Sequence, residues 1–188
     1  MKQVVLFASG SGSNVENIAK YFENNEQVKI RCVLTNNKEA KVIDRCQRLK
    51  IPVLYFNRTA FSKTNTILTL LQAFSPDLIV LAGFLWKIPE SFVKAFPNKI
   101  LNVHPALLPK YGGKGMYGAN VHQAVKDNKE SETGITIHYV NENYDEGAII
   151  HQSRTKLNPT DTPEHIAEKV HDLEYEYFPK VIEQILFA

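Results

Sequence analysis

The sequence predicts an α/β fold, a doubly wound, mostly parallel sheet with an antiparallel strand pair in the C-terminal half. The first half alternates short apolar segments with amphipathic segments, which is the rhythm of strands covered by helices on both faces. The second half holds two stretches of alternating polar and apolar residues, 134–141 and 147–157, separated by a short loop. Ligands of such sheets bind at the carboxyl ends of the strands, so polar residues there are the first candidates for function.

Each element follows from its own pattern. Segments rich in apolar residues predict buried parallel strands at 3–8, 28–36, 51–56, 77–84 and 100–104, of which 3–8 is a continuous apolar run. Apolar residues at helical spacing predict helices at 14–24, 39–50, 61–74 and 161–186. In the last helix, Thr162 is the expected N-cap, Pro163 the first helical position and Pro179 a kink.

Composition limits the class of protein. With 188 residues, of which 44% are hydrophobic, one domain over residues 1–188 is expected. The net charge of +2 and the scattered basic residues argue against a nucleic-acid surface, and no apolar run reaches the length of a membrane span. Met1 leads directly into a strand, so no signal peptide is expected. Cys32 and Cys46 fit neither a disulfide framework nor a metal site, which favours a cytoplasmic protein.

A glycine-rich segment, ASGSGSNVENI, joins the first strand to the first helix. Gly12, Ser13 and Asn14 stand at the helix start, where free N–H groups and the helix dipole favour an anion. A dinucleotide fingerprint fits poorly because Val15 occupies the third glycine position, and no Gly-Lys-Ser/Thr of a Walker loop follows. A tight turn without a ligand is the remaining alternative. The segment is best interpreted as a site for one phosphate monoester.

Polar residues also interrupt the fifth strand, ILNVH. Asn102 and His104 share one face of it, and His104 is its last residue before Pro105. Asp145, in the acidic loop between the two alternating stretches, is placed to return to the same edge. A structural histidine is the competing interpretation. Together the three side chains suit acyl transfer to an amine, with Asn102 and a protonated His104 holding an oxyanion and a nearby carboxylate raising the imidazole pKa.

Other chemistries find no support in the sequence. The spacing of the histidines from cysteines and carboxylates does not suit a metal, so no metal is expected. No G-x-S-x-G stretch stands in a nucleophile-elbow context.

The stretches GSGSN, LAGFLWKIP, NVHPALLPKYGG and GITIHYVNENYDEGAIIHQ resemble the phosphoribosylglycinamide formyltransferases, folate-dependent enzymes of purine synthesis. The resemblance covers nearly the whole chain and implies a Rossmann-like formyltransferase fold. It also implies transfer of a formyl group from 10-formyltetrahydrofolate, as co-substrate, to the amine of glycinamide ribonucleotide.

The resemblance further assigns roles to residues. The catalytic trio falls on Asn102, His104 and Asp145, and the ribonucleotide site on Gly12, Ser13, Asn14 and Glu174. The folate site falls on Leu85, Trp86, Lys87, Ile88, Asn102, Val140, Asn141 and Tyr144. Two stretches depart from the family pattern: Trp86-Lys87 stand where an arginine is common, and residues 112–125 form a longer segment than in many members.

Three alternatives compete with this interpretation, of which the second and third stay open. A methionyl-tRNA formyltransferase would need a second, tRNA-binding domain, for which 188 residues leave no room. A formyltetrahydrofolate hydrolase would have no use for the phosphate loop and would carry a regulatory domain before the first strand. A non-catalytic nucleotide-phosphate binding module would gain nothing from the trio. The expected partners are small-molecule substrates, with neither nucleic acid nor membrane, and the chain is expected to be a monomer or a homodimer.

Overall fold

A computed structural model describes all 188 residues. Seven strands form one sheet: β1 (Lys2–Phe7), β2 (Val28–Thr35), β3 (Val53–Tyr55), β4 (Leu78–Leu81), β5 (Ile100–His104), β6 (Glu132–Tyr139) and β7 (Ile149–Lys156). Seven helices connect or follow them: α1 (Ser13–Tyr21), α2 (Val42–Arg48), α3 (Arg58–Ser62), α4 (Thr66–Phe74), α5 (Glu90–Ala95), α6 (Ala119–Asp127) and α7 (Pro163–Leu186).

The strand order is β3-β2-β1-β4-β5-β6-β7. β1 pairs in parallel with β2 and with β4, and β2 pairs in parallel with β3. β6 and β7 pair antiparallel, with a register shift at Ile137/His138. The predicted fold class, a mostly parallel sheet with an antiparallel pair in the C-terminal half, is confirmed.

The chain divides into two compact units. Unit 1 comprises residues 1–101 and 186–188, and unit 2 comprises residues 102–185. The boundary falls inside β5, so that its first two residues belong to unit 1 and its last three to unit 2. A single domain over residues 1–188 stays a prediction.

Unit 1 is built around its parallel strands. All four residues of β4 and the last four of β1 are buried, which explains why these strands read as continuous apolar runs. Beside them lies an aromatic group in which the centroids of neighbouring rings stand 5.0–6.4 Å apart. Two of its rings, Phe7 and Phe61, are fully buried. Its members are Phe7, Phe56, Phe61, Phe84, Trp86 and Phe92. Edge and tilted contacts of this kind add to the stabilisation from buried area.

The helices differ from the prediction in three places. The helix expected at 61–74 is two helices, α3 and α4, because Asn57 caps the first through Ala60 N–H at 2.9 Å and Asn65 adopts a left-handed φ of 55° before the second. The short helices α5 and α6 were not among the predicted elements. Their few turns give a weak periodic signal, and their stability comes from packing.

Helix α7 matches its predicted signals at its start. It begins at Pro163, and Thr162 accepts a hydrogen bond from His165 N–H at 3.3 Å through its side chain. The helix runs through Pro179 without interruption to Leu186. None of the helices combines the length and apolarity that a membrane span requires.

Candidate active site

His104 ends β5 and is 3% exposed. Its Nε2 lies 2.7 Å from the backbone oxygen of Tyr111, which can only accept, so Nε2–H is the donor. In the neutral ring Nδ1 then carries a lone pair, and this atom stands 3.6 Å from Oδ2 of Asp145. That distance is too long for a hydrogen bond but close enough for an ion pair once the ring is protonated.

Asp145 has a left-handed φ of 55° in the loop between β6 and β7. Its Oδ2 accepts a hydrogen bond from Gly113 N–H at 3.0 Å, and its Oδ1 lies 3.7 Å from His138 Nε2. The loop is closed at its base, where Tyr139 N–H donates to Ala148 O at 3.0 Å. The carboxylate is therefore held from several sides, so that it faces two imidazoles.

Asn102 reaches this group through His138. The Asn102 Nδ2 donates to Nε2 of His138 at 3.2 Å, and the other ring nitrogen, Nδ1, donates to Tyr139 O at 2.9 Å. A carboxamide nitrogen has two hydrogens, so Asn102 keeps one N–H for another acceptor. The structure thus brings Asn102, His104 and Asp145 together and adds His138, which completes what we call the His104 cluster.

Sequence reasoning missed His138 as a member of this cluster, although a signal was available. It is a polar residue in a strand whose interior is buried, which is the same anomaly that pointed to His104. A polar side chain buried in a sheet needs partners, and the partners identify a site.

The electrostatics of the cluster correct one expectation. Burial lowers the pKa of His104 below its ordinary value and outweighs the Asp145 carboxylate and the Tyr111 carbonyl, which raise it. Burial likewise lowers the pKa of His138. The prediction of a His104 held cationic near neutral pH is therefore wrong for the free protein. The free energy needed to remove the imidazolium from water exceeds the stabilisation that the Asp145 carboxylate provides.

In unit 1, residues 9–14 form the segment that we call the glycine loop. Gly12 has φ 74°, and a Cβ added there would stand 2.6 Å from Val42 Cβ and 2.9 Å from Val42 Cα. Only glycine fits this backbone. Helix α1 begins at the next residue, Ser13, and buried Asn14 follows, so backbone N–H groups gather at the positive end of a helix. The predicted phosphate-binding residues thus lie where an anion is favoured.

Helix α2 holds the glycine loop in place. Val42 N–H donates to Gly10 O at 3.1 Å, and Arg45 Nε donates to Ser11 O at 2.7 Å. The same guanidinium pairs with Glu16 of α1. Sequence reasoning missed Arg45 because nothing in the local pattern of α2 shows which carbonyl its side chain reaches.

The predicted folate wall adjoins the glycine loop within unit 1. Leu85 N–H donates to Ser9 Oγ at 3.0 Å, and Ser9 N–H donates to Gly83 O at 3.0 Å. Leu85 is 52% exposed, whereas Ile88 is buried. Lys87 is exposed.

Trp86, in the same wall, is partly buried. Its ring packs 5.7 Å from Phe61 and 6.0 Å from Phe56, and the Arg58 guanidinium lies 4.2 Å from its centroid. Trp86 is therefore the one partly exposed member of the aromatic group of unit 1.

The remaining predicted residues lie in unit 2. Val140 and Asn141 are partly buried after β6, Tyr144 is 41% exposed one residue before Asp145, and Glu174 is buried in α7. Asn141 accepts Asn143 N–H at 3.0 Å, a local turn that shapes the loop. The chain contains no group of three or more His, Cys, Asp and Glu side chains that could hold a metal ion.

Comparisons with known proteins identify the family. The model of the formyl transferase family matches residues 2–182. Phosphoribosylglycinamide formyltransferase of Bacillus subtilis is 36% identical over 193 residues, covering 99% of this chain and 95% of the relative. The enzyme of that name from Haemophilus influenzae is 35% identical, covering 97% and 86%. The chain spans 64% of the length of the chloroplastic enzyme of Arabidopsis thaliana, at 36% identity.

Solved structures give the same result. The crystal structure of phosphoribosylglycinamide formyltransferase from Anaplasma phagocytophilum matches with a TM-score of 0.89 and 34% identity, covering 98% of this chain and 87% of that one. A glycinamide ribonucleotide transformylase of Geobacillus kaustophilus matches with a TM-score of 0.89 and 31% identity, covering 99% of both chains. The resemblance found in the sequence is confirmed, and the chain belongs to the formyl transferase family.

Proposed function

We propose that this protein transfers a formyl group from 10-formyltetrahydrofolate to the amine of N1-(5-phosphoribosyl)glycinamide, a step of purine biosynthesis. The observation that carries the proposal is the His104 cluster, in which an imidazole, a carboxylate and a carboxamide converge within unit 2. The similarity to phosphoribosylglycinamide formyltransferases along nearly the whole chain supports the choice of substrates.

The reaction requires one proton to move. The acceptor amine bonds to the formyl carbon and loses a proton, while the bond from that carbon to the folate nitrogen breaks and that nitrogen gains one. His104 suits this transfer because its pKa is lowered by burial, which leaves Nδ1 as a free base at neutral pH. Asp145, 3.6 Å from Nδ1, stabilises the imidazolium that forms. The proton then passes to the leaving nitrogen.

Asn102 is assigned to the oxygen of the formyl group. Attack on the formyl carbon places negative charge on its oxygen, and a fixed N–H donor stabilises that charge. One N–H of Asn102 is committed to His138, which orients the amide, and the other remains for the oxyanion. His104 contributes once it is protonated, so its role in holding the oxyanion follows proton uptake.

The glycine loop is assigned to the phosphate of the ribonucleotide through Gly12, Ser13 and Asn14, with Glu174 assigned to its ribose. Two facts support the loop assignment: the start of α1 presents N–H groups, and the α2 contacts hold their backbone in shape.

Leu85, Trp86, Lys87 and Ile88, together with Val140, Asn141 and Tyr144, are assigned to the folate. Exposed Leu85 offers apolar surface for a pterin. The 188 residues act as one formyltransferase domain, as a monomer or homodimer; the family match across both units supports the first point. The free, buried thiols of Cys32 and Cys46 are consistent with a cytoplasmic location.

The test is a spectrophotometric assay of 10-formyltetrahydrofolate consumption by the purified protein, with and without glycinamide ribonucleotide. Consumption that depends on the ribonucleotide and yields its formylated form supports the proposal. Consumption at the same rate without it would assign the protein as a hydrolase instead. Binding of both compounds without any turnover would assign it as a binding module. The His104→Ala variant, assayed in parallel, reports any contaminating activity.

A further inference from the structure

One short turn touches both titratable partners of the His104 cluster. The turn consists of residues 111–113 and follows β5 by a few residues. The Tyr111 carbonyl accepts from His104 Nε2–H at 2.7 Å, and Gly113 N–H donates to Asp145 Oδ2 at 3.0 Å. The imidazole and the carboxylate are thus positioned by backbone groups two residues apart, and a movement of this turn changes the geometry of both.

The backbone of the turn is unusual. Tyr111 has φ 56°, a left-handed conformation that non-glycine residues rarely adopt, and Gly113 has φ 94°. A Cβ on Gly112 would stand 2.6 Å from Leu108 Cδ2 and 3.4 Å from Asp145 Cβ. A strained conformation of this kind persists only where the surroundings hold it.

A side-chain anchor also holds the turn. The Tyr111 hydroxyl donates to Glu130 Oε1 at 2.9 Å, and Lys110 Nζ donates to the same oxygen at 3.0 Å. Glu130 stands just beyond α6, and its backbone N–H donates to Val125 O at 3.3 Å. The carboxylate is therefore attached to a helix end and reaches the turn through one tyrosine.

The charges of this anchor suit a permanent bond. Burial raises the pKa of Tyr111 to about 12, with the hydrogen bond and charge of Glu130 adding to it, so the hydroxyl keeps its proton. Hydrogen bonds from Lys110 and then Tyr111 lower the pKa of Glu130, so the carboxylate stays charged. Donor and acceptor keep their states across the pH range of an enzyme assay.

We infer that Tyr111 and Glu130 are positioning residues for formyl transfer, which act through the backbone of the 111–113 turn on His104 and Asp145. The inference rests on the proposed function. Neither side chain has a bond to the reacting cluster. Their effect is on the position of the imidazole that carries the proton and of the carboxylate that stabilises it once charged, where a misplacement of about 1 Å can cost on the order of 10²-fold in rate.

The expected result is a loss of turnover with little loss of binding. Tyr111→Phe and Glu130→Gln each lower kcat roughly 5- to 30-fold, with KM for both substrates changed less than threefold. Because the two residues act through one bond, the kcat of the double variant should be no lower than that of the less active single variant. Independent additive losses would overturn the linkage between them.

A second readout needs no turnover. The Tyr111 carbonyl raises the pKa of His104, so a loosened turn lowers that pKa, and NMR titration of His104 in each variant measures the change. The other titratable groups that interact with His104 are Asp145, His138 and His122. Asp145 also raises the pKa of His104, so its release from Gly113 N–H would lower that pKa in the same direction. If the wild type proves inactive, the proposed function fails and the titration still tests the positioning role.

The matched control is Glu132→Gln. Glu132 and Glu130 border the same cavity of about 230 Å³, and Glu132 pairs with Arg154 at 2.6 Å, but it has no bond to the turn. This variant should keep wild-type kcat and the wild-type pKa of His104. Thermal melting of each variant monitors folding. If Tyr111→Phe melts at a lower temperature while kcat and the titration are unchanged, the bond is merely structural and the inference is overturned.

Discussion

The glycine loop and the His104 cluster reach their positions by different routes. The glycine loop lies within six consecutive residues, and its shape follows from Gly12 and the start of α1, with α2 as a brace. The cluster takes its members from β5, β6 and the loop after β6, and a separate turn fixes two of them. A site built from one segment depends on backbone conformation, whereas an assembled site depends on burial and on bonds between segments.

The largest expected effect concerns the assembled site. Asp145→Asn keeps the shape of the side chain but removes the charge that stabilises a protonated His104. Turnover should fall roughly 10²–10⁴-fold, with ribonucleotide affinity within a few-fold of wild type. Single-turnover kinetics and calorimetric binding measure the two quantities. Asp127→Asn, on the exposed end of α6, is the control and should change neither. Near-normal turnover of Asp145→Asn would remove Asp145 from the mechanism.

The next effect concerns the one-segment site. Gly12→Ala places a methyl group against Val42 and forces a left-handed backbone on alanine. Strain of about 1–3 kcal/mol corresponds to roughly 5- to 150-fold weaker binding of the ribonucleotide, measured by calorimetry. Gly10→Ala is the matched control, since a Cβ there meets no atom within 4 Å and should leave the affinity unchanged. Equal affinity of both variants and wild type would refute the phosphate assignment.

The third effect concerns the response of unit 2 to acid, through His122. His122 is 5% exposed, its Nδ1 has no hydrogen-bond partner, and burial lowers its pKa to about 4. His122 of the unfolded chain binds a proton with a pKa near 6.5, whereas in the folded protein it binds one only near pH 4. Protons therefore favour the unfolded chain between these two values, and the free energy of unfolding has its full value above pH 6.5 and decreases as the pH falls toward 4. At pH 5 the loss from this residue is about 2 kcal/mol.

His122→Leu should remove that part of the acid sensitivity, because leucine carries no titratable group into the core. Urea unfolding at pH 7.5 and pH 5 measures the free energy of unfolding of both proteins. His165→Leu is the control, since His165 is exposed and is not among the groups that shift the pKa of His122. An identical pH dependence for wild type and His122→Leu would show that His122 does not carry the effect.

The smallest effect concerns the brace of the glycine loop. Arg45→Met removes the hydrogen bond to Ser11 O and the pair with Glu16. A bond of this kind is worth about 1 kcal/mol, so ribonucleotide affinity should fall roughly fivefold while saturated turnover stays unchanged. Arg48→Met, on the exposed side of the same helix, should have no effect. A fall in saturated turnover would show that Arg45 acts on the chemical step instead.

The predictions that succeeded share one feature: each rests on a short pattern. The parallel strands, the Thr162 cap and the glycine turn before α1 are encoded in neighbouring residues. The misses involve features that a local pattern does not determine. The single helix expected at 61–74 is two because Asn65 adopts a left-handed conformation, which an asparagine permits but does not require. Arg45 was overlooked because its partner lies 34 residues away.

The fold class and the glycine turn were predictable from the sequence, because strand alternation and helix spacing are local properties of the chain, and Asn102, His104 and Asp145 stood out in it as candidate site residues. Three further features follow from tertiary contacts: His138 lies beside Asn102 and Asp145, the 111–113 turn contacts His104 and Asp145, and burial lowers the pKa of His104. Contacts between distant segments and the free energy of removing a charge from water depend on what surrounds a residue, and the surroundings exist only after folding.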